Sequence, residues 1–214
     1  MSCRNWLKAC CESGRQPTHD YSSGMRITGG SARGIQIKAP RGKVTRPATD
    51  RMREAIFSSL GQSVVGSRVF DLFAGTGAYG LEAISRGASK AIFYETDRNA
   101  LSCLQQNQQA VLKACGLGSD ATRIIARDVY ALNMASESAD LIFIDPPYAD
   151  MADRLDQIFA QTDLCATNGA NVILELPGDL DPSPKGWQIV RRFGKPKRDT
   201  PNAAIFERCR NAEH

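Results

Sequence analysis

An acid, two prolines and a tyrosine follow an apolar run in the second half of the chain, in Asp145-Pro-Pro-Tyr148 after residues 141–144. Such a turn suits chemistry on the exocyclic amine of a base, which is a poor nucleophile because its lone pair is delocalised into the ring. A carboxylate and a backbone carbonyl that both accept hydrogen bonds from this amine can direct the lone pair at a methyl group. Pro146 and Pro147 would preorganise these acceptors, and Tyr148 can stack on the base. We therefore predict a catalytic turn for direct in-line transfer; a strand-ending turn with Tyr148 as packing is the alternative.

A glycine-rich turn follows an earlier strand and opens a helix, in Asp71-Leu-Phe-Ala-Gly75-Thr-Gly77-Ala-Tyr-Gly80. It contains the pattern G-x-G-x-x-G of dinucleotide-binding proteins, so NAD is one interpretation. Asp71 argues against it, because a pyrophosphate needs a helix N-terminus without competing negative charge. An acid in this position suits a ligand with an ammonium or sulfonium cation, and the glycines let the backbone approach that ligand closely. The turn therefore predicts S-adenosylmethionine as the cofactor, with a ligand-free turn as the alternative.

Three more acids follow the next two predicted strands. Glu95 can bind the ribose hydroxyls, while Asp97 is either a second ligand or the N-cap of the following helix. Asp128 can accept a hydrogen bond from the exocyclic amine of adenine, with the Val129 N–H facing the ring; a capping role is the alternative for Asp128. The residues predicted to bind the cofactor in these segments are Asp71, Phe73, Ala74, Gly75, Thr76, Gly77, Glu95, Thr96, Asp97, Asp128 and Val129.

The elements that must position these residues alternate between strand and helix. Strands are predicted at 68–73, 91–94, 123–126, 141–144 and 172–176, with helices at 81–86, 98–113 and 151–161. The strands are apolar throughout, which is typical of a parallel sheet covered on both faces. We predict an α/β fold with a doubly wound sheet, ended by an antiparallel hairpin at 188–193 and 203–206. Ligands of such sheets bind at the carboxyl ends of the strands, so the Asp145 turn should face the glycine turn across one crevice.

The N-terminal quarter has a different pattern. Two short extended stretches near 25–28 and 35–38, separated by Gly29 and Gly30, predict a small β-hairpin. A helix is predicted from Thr49 as N-cap to Leu60. Residues 1–24 show no periodicity, and we expect either a disordered extension or an upstream start with Met25 as the true beginning. The predicted division is therefore 1–24 for the extension, 25–62 for the hairpin and helix, and 63–214 for the sheet domain.

Composition and charge limit the classes of function. The net charge is +4, from 27 Lys and Arg against 23 Asp and Glu. Basic residues concentrate in 26–53 and 185–198, which suggests a polyanionic partner, with solvated surface charge as the alternative. Seven cysteines without a Cys-x-x-Cys pair indicate reduced thiols in the cytoplasm. A zinc site is not expected, because the two histidines lie outside the patterned region, and no apolar stretch is long enough to span a bilayer.

Two of these motifs, at 71–77 and 145–148, resemble the class I S-adenosylmethionine-dependent methyltransferases that act on amino groups. The N-terminal quarter is more specific. Met25-Arg-Ile-Thr-Gly-Gly-Ser-Ala-Arg-Gly34, followed by Thr45-Arg-Pro-Ala-Thr-Asp-Arg-Met-Arg-Glu-Ala-Ile-Phe57, resembles the RsmD family of bacterial 16S ribosomal RNA guanine-N2 methyltransferases. Residues 81–87 and 95–97 continue the likeness, which covers residues 25–148 well.

This resemblance implies a Rossmann-like, seven-stranded methyltransferase sheet with S-adenosylmethionine as the cofactor. The implied substrate is a guanine of 16S rRNA in the small ribosomal subunit or its assembly intermediate. The helix at 49–60 would lie against the cofactor, with Thr49 and Arg53 as candidate contacts. We expect a cytoplasmic monomer with no membrane partner and no metal. The residues that the resemblance implies as contacts of RNA phosphates are Arg26, Arg33, Arg41, Lys43 and Arg46.

Two other functions stay open at the level of sequence. A DNA adenine-N6 methyltransferase shares the Asp-Pro-Pro-Tyr turn, although this chain has no obvious target-recognition insertion between its strands. A non-catalytic RNA-binding assembly factor would explain the basic clusters, whereas the acids at 71, 95, 128 and 145 favour an enzyme.

Overall fold

The computed structural model of the protein describes residues 24–40, 47–131, 134–178, 180–195, 197 and 200–209. The predictions for residues 1–23 and for Arg41, Lys43 and Arg46 lie outside these ranges. The described helices are α1 (Pro47–Leu60), α2 (Ala78–Ser85), α3 (Arg98–Cys115) and α4 (Tyr148–Cys165). The described strands are β1 (Arg68–Asp71), β2 (Lys90–Tyr94), β3 (Thr122–Ile125), β4 (Ala139–Ile144), β5 (Ala166–Pro177), β6 (Trp187–Phe193) and β7 (Pro201–Arg208).

The strands form one sheet of seven, in the order β3-β2-β1-β4-β5-β7-β6. Strands β1 to β5 pair in parallel, and β7 lies antiparallel between β5 and β6. The order reverses between β1 and β4, and this is the switch point at whose carboxyl ends such sheets bind ligands. The predicted doubly wound α/β fold with a final antiparallel hairpin is therefore confirmed.

Helices cover both faces of this sheet and account for its uniformly apolar strands. One buried cluster joins α1, α2 and α3 to side chains such as Val69, Phe93 and Phe143. A second cluster joins α4 to the opposite face through side chains such as Ile142 and Phe159. Because successive residues of a strand point to opposite faces, each central strand contributes to both clusters. An acid near the end of a strand therefore adjoins one cluster or the other according to its position in this alternation.

The N-terminal segment packs on the face that α1, α2 and α3 cover. Arg26 and Gln36 form an antiparallel bridge, and the Ile27 N–H donates to the Ile35 carbonyl at 2.9 Å. Ile27 and Ile37 are buried in the same cluster as the side chains of α2. The predicted hairpin is therefore present as a short bridged loop, and it lies directly on the helix that follows the glycine turn.

Several predicted boundaries are wrong: β5 begins at Ala166 instead of residue 172, and three others differ for a local reason. Helix α1 begins at Pro47, so Thr49 lies inside its first turn and is not the N-cap. Proline suits the first position of a helix, because a backbone N–H there would have no acceptor within the helix. Strand β1 ends at Asp71 instead of residue 73, because the chain bends at once into the glycine turn. Helix α4 begins at Tyr148, directly after Pro147, instead of at Met151.

Candidate active site

The glycine turn joins β1 to α2 across the carboxyl ends of the central strands. Gly75 and Gly77 have φ angles of 52° and 80°, a region that favours glycine, and Gly77 is the N-cap of α2. A Cβ atom on Gly77 would overlap the Leu104 side chain of α3, and one on Gly80 would overlap Phe93. The glycines thus permit the bend and the close packing of α2 on the sheet, as the sequence pattern predicts.

Asp71 lies at the end of β1 and is only 2% exposed. Its Oδ2 accepts a hydrogen bond of 3.0 Å from the Gly80 N–H of α2. Desolvation by burial, partly opposed by that hydrogen bond and reinforced by the charges of Glu95 and Glu175, raises the pKa of Asp71 to about 7. This carboxyl group therefore favours a bound cation, because a positive charge nearby would relieve the repulsion among the acids.

Glu95 is held by the backbone of two turns at once. Its Oε2 accepts from the Gly75 N–H at 2.7 Å, and its Oε1 accepts from the N–H groups of Thr96 and Asp97 at 2.7 and 2.8 Å. The carboxylate is thus fixed at the end of β2 and ties the glycine turn to the next strand. Oε1 thus uses both of its lone pairs, whereas Oε2 keeps one for a hydroxyl donor, so the predicted contact with a ribose hydroxyl fits this geometry.

Asp97 and Asp128 both cap local structure. Asp97 is the N-cap of α3, since its Oδ1 accepts from the Ala100 N–H at 2.8 Å. Asp128 accepts from the Tyr130 N–H at 3.0 Å through Oδ1, next to the buried Val129. Both acids also line the cleft described below, so capping does not remove them from it. Their contacts with a cofactor stay predictions.

One cleft of about 660 Å³ brings the two predicted motifs together. A smaller cavity of about 50 Å³ beside it is lined by Phe73, Thr96 and Val129, among others. The two walls of the large cleft come from the ends of β1, β2 and β3 on one side and from the turn after β4 on the other. Its lining comprises Phe73, Gly75, Glu95, Thr96, Asp97, Asp128, Tyr130, Asp145, Pro146, Pro147 and Arg154.

Asp145 opens into this cleft directly after β4. Its carboxylate accepts no hydrogen bond from the residues that the structure describes. Many protein atoms nevertheless surround it, and this desolvation, followed by the charges of Glu175 and Asp71, raises the pKa of Asp145 well above that of an ordinary aspartate. Tyr148 begins α4 two residues beyond Pro146, and its side chain lies outside the description. Its stacking on a base therefore stays a prediction.

Two functional candidates escaped the sequence reasoning. Glu175 lies in β5, and its Oε1 accepts a hydrogen bond from the Tyr79 hydroxyl, 96 residues earlier in the chain. Arg154 lines the cleft from α4, with its guanidinium 3.2 Å from the centre of the Tyr130 ring. The available signal for Glu175 was a single acid inside the apolar run Val-Ile-Leu-Glu-Leu; an arginine on a helix such as Arg154 gives no comparable signal.

The family resemblance implies that Arg53 contacts the cofactor, whereas the structure buries this side chain between elements. It is 2% exposed, and its guanidinium donates to Glu82 at 3.3 Å, to Asp50 at 2.9 Å and to the Arg26 carbonyl. These bonds join α1 to α2 and to the N-terminal loop. Arg53 therefore holds elements together behind the cleft, which it does not line. Thr49 lies in α1, and its side chain is outside the description.

The two described candidates for RNA contact lie on the N-terminal loop. Arg26 and Arg33 are exposed and line a second cleft of about 560 Å³ between this loop and α1. Arg51 of α1 lines the same cleft, together with the acids Asp50 and Glu54. The structure thus groups three arginines around this cleft. Arg51 was not among the residues predicted to contact RNA.

Metal-binding clusters and membrane-spanning helices are both absent from the described part of the chain. It contains no group of three or more His, Cys, Asp or Glu side chains arranged to hold a metal ion. Among the described helices, none combines the length and the apolar character needed to cross a bilayer.

Known proteins resemble this chain over the same elements. Residues 25–198 match the family described as "Conserved hypothetical protein 95". The "Ribosomal RNA small subunit methyltransferase D" of Escherichia coli (strain K12) is 34% identical over 135 residues, which are 63% of this chain and 65% of that protein. The "Putative rRNA methyltransferase YlbH" of Bacillus subtilis (strain 168) is 37% identical over 130 residues, 59% of this chain and 68% of that protein.

A solved structure extends the likeness to the fold. The "Putative methyltransferase yhhF from Escherichia coli" has a TM-score of 0.71 at 28% identity, and the match covers 86% of this chain and 97% of that one. In sequence, the aligned region spans slightly less than two thirds of the Escherichia coli relative, at 65% of its length. The family match covers more than half of the chain and includes the glycine turn and the Asp145 turn. The chain therefore belongs to this family, which is the RsmD family that its motifs resemble.

Proposed function

We propose that the protein is an S-adenosylmethionine-dependent methyltransferase that modifies the N2 amine of a guanine in 16S rRNA of the small ribosomal subunit or its assembly intermediate. The observation that carries this proposal is the shared cleft of Glu95 and Asp145. A group that binds ribose hydroxyls and a group that accepts from an amine line the same space of about 660 Å³. The names of the relatives, which are rRNA methyltransferases, support the choice of substrate.

The acids in the cleft and at the buried end of β1 fit the proposed cofactor. S-adenosylmethionine would supply a methyl group on a sulfonium cation, together with an ammonium group and a ribose. Asp71, whose pKa is raised to about 7 chiefly by burial, would be ionised more readily beside such a cation. Glu95 would accept from the ribose hydroxyls, because its oxygens are held in place by three backbone N–H groups.

The turn after β4 would then hold the acceptor amine. Asp145 and a backbone carbonyl of the Asp-Pro-Pro turn accept its two hydrogens, and the prolines limit the loop to few conformations. The cofactor would supply the methyl group, with its sulfur as the leaving group, and the methylated amine would then have a proton to release. Asp145 has a raised pKa, chiefly through desolvation, and can therefore take up the proton that the methylated amine releases.

The RNA would approach from the side of the N-terminal loop. Arg26 and Arg33 are exposed there, and we propose that they contact phosphates, together with Arg41, Lys43 and Arg46 of the adjoining segment. A monomer in the cytoplasm is sufficient for this arrangement, because the proposed cofactor and amine groups all come from one chain.

Methyl transfer from radiolabelled S-adenosylmethionine tests the proposal directly. The acceptors are naked 16S RNA, unmodified small subunits, large subunits and duplex DNA, with wild type and Asp145→Ala compared at matched folding and cofactor binding. We expect label in the small subunits, recovered as N2-methylguanosine and lost in the variant. Label confined to DNA would instead assign the adenine chemistry, and bound cofactor without any label would reduce the protein to an RNA-binding factor.

A further inference from the structure

We propose that Glu175 accepts a hydrogen bond from N1–H of the target guanine, beside Asp145 on the amine, and thereby selects guanine over adenine. This inference rests on the function proposed above and deepens it. It assigns a role in base specificity to a residue that lies outside the two recognised motifs.

The register of the sheet makes Glu175 the neighbour of Asp145. In the parallel pair of β4 and β5, Ile144 lies beside Leu174, and both side chains belong to the cluster that α4 covers. The next residue of β5, Glu175, therefore points to the other face, the one that α1 and α2 cover, and Asp145 directly follows Ile144 at the end of the neighbouring strand. Since adjacent strands are about 4.8 Å apart, the two acids form a pair at the same end of the sheet.

Tyr79 fixes one side of this carboxylate. Its hydroxyl donates to Oε1 of Glu175, and its ring stacks on Phe143, with the ring centroids 4.9 Å apart and the planes at 18°. The second oxygen, Oε2, has no donor among the residues that the structure describes. Glu175 is partly exposed. One oxygen is thus anchored by the protein, and the other is available to a donor on a ligand.

The charges around Glu175 do not supply that donor. Burial raises the pKa of Glu175, and the Tyr79 hydrogen bond and the charge of Arg53 act in the opposite direction. However, the described bonds of the Arg53 guanidinium go to Glu82, Asp50 and a backbone carbonyl. A cationic cofactor beside the acids would favour the ionised form of Glu175, which accepts hydrogen bonds and donates none.

Two neighbouring carboxylates complement the Watson–Crick edge of guanine. That edge presents N1–H and the N2 amine side by side, which are donors for two adjacent acceptors. Adenine presents its amine beside N1, and N1 is an unprotonated acceptor. An ionised Glu175 would face the lone pair of N1, so adenine would leave both groups unsatisfied. The two acids together would therefore explain why the Asp145 turn, which suits any exocyclic amine, acts on guanine in particular.

A change of a single base atom tests this role. Small subunits are reconstituted with 16S RNA that carries either guanosine or 2-aminopurine riboside at the mapped target position. 2-Aminopurine keeps the exocyclic amine and lacks the hydrogen on N1 and the O6 carbonyl; the loss of O6 affects wild type and a Glu175 variant alike, so their difference reports on N1. With wild-type protein we expect kcat/KM to fall about ten- to hundredfold on this replacement, the value of one hydrogen bond to a charged group. In Glu175→Gln the amide can turn its NH2 toward N1, so the preference should shrink to about threefold or less.

Tyr79→Phe provides a second variant that keeps the stacked ring and frees the Glu175 carboxylate. It should weaken the discrimination between the two bases and leave the Kd for S-adenosylmethionine unchanged. An equal loss of kcat/KM on both bases in Glu175→Gln would show that Glu175 only supports the fold, which overturns the inference while the proposed function stands. If wild-type protein transfers no methyl to the guanosine subunits, the proposed function fails first and the inference fails with it.

Discussion

At the scale of single residues, Glu95 provides a direct test of the cofactor cleft. We expect Glu95→Ala to weaken the binding of S-adenosylmethionine by at least about tenfold, because the variant loses the ribose acceptor and frees three backbone N–H groups that shape the cleft. Isothermal titration calorimetry gives the Kd of each protein.

The matched control for Glu95 is Asp97, two residues later. Its side chain caps α3, so Asp97→Ala should lower the free energy of unfolding by about 1 kcal/mol. If capping is its whole role, the Kd for the cofactor stays within about twofold of wild type. A loss in Asp97→Ala as large as that in Glu95→Ala would assign Asp97 to the cofactor as a second ligand.

Asp71 makes the stability of the cofactor-free protein depend on pH. Its pKa is raised from 3.8 to about 7 by burial above all, so the folded state binds a proton more tightly than the unfolded chain does. The resulting stabilisation is complete below about pH 4 and is lost as the pH rises to 7. The difference between a pKa of 3.8 and a pKa of about 7 corresponds to roughly 4 kcal/mol.

Urea unfolding between pH 4 and pH 8 measures this effect. Asp71→Asn removes the titrating group and keeps an acceptor for the Gly80 N–H, so its free energy of unfolding should decline less with pH than that of wild type. Added S-adenosylmethionine should reduce the decline in wild type as well, because its positive charge favours the ionised acids. Parallel curves for the two proteins would contradict the raised pKa of Asp71.

At the scale of elements, Glu82 joins the N-terminal loop, α1 and α2. It is 0% exposed and accepts from Thr28, Gly29, Arg53 and Arg86, with distances between 2.7 and 3.3 Å. Glu82→Ala removes the acceptor of the Thr28 and Gly29 N–H groups and leaves Asp50 as the one described carboxylate beside Arg53, so we expect a loss of about 3–5 kcal/mol. Limited proteolysis near residues 24–40 should accelerate because the loop is released from α2.

An exposed ion pair serves as the comparison for Glu82. Arg68 and Asp140 lie 3.3 Å apart with side chains 46% and 36% exposed. Arg68→Ala should therefore change the free energy of unfolding by less than about 1 kcal/mol and leave proteolysis of the N-terminal loop unaltered. Similar effects of the two variants in urea unfolding would mean that Glu82 does not hold the three elements together.

The elements were predictable where a periodic pattern or a backbone constraint defines them. Apolar strands and the glycine turn indicated the doubly wound sheet and placed the Asp145 turn opposite Glu95. The partnership of Glu175 with Tyr79 was not predictable, because it joins residues 96 positions apart and depends on the register of β4 and β5. Likewise, the sequence could not reveal the buried ion pair of Arg53 and Glu82, since arginine and glutamate side chains on helices are usually exposed.

At the scale of the whole molecule, charge is separated between two surfaces. Four carboxylates and one arginine line the cleft beside β1 and β4, whereas in the second cleft Arg26, Arg33 and Arg51 outnumber the two acids. An acidic cleft suits a cationic cofactor, and arginines at the other surface suit phosphates. The N-terminal loop that carries Arg26 and Arg33 is bonded to α2, which follows the glycine turn. The surfaces proposed for RNA and for the cofactor therefore belong to the same packed unit.

The salt dependence of RNA binding tests this division of charge. Each arginine that neutralises a phosphate contributes about 0.7–0.9 to the slope of log Kd against log salt concentration. We therefore expect Arg26→Ala and Arg33→Ala each to weaken binding to 16S RNA and to lower this slope by about one unit or slightly less. Arg208→Ala is the control, because Arg208 binds Asp163 at the far end of α4, away from both clefts. If all three variants lower the slope equally, RNA binding depends only on the net charge of the protein, and the N-terminal loop is not a specific binding surface.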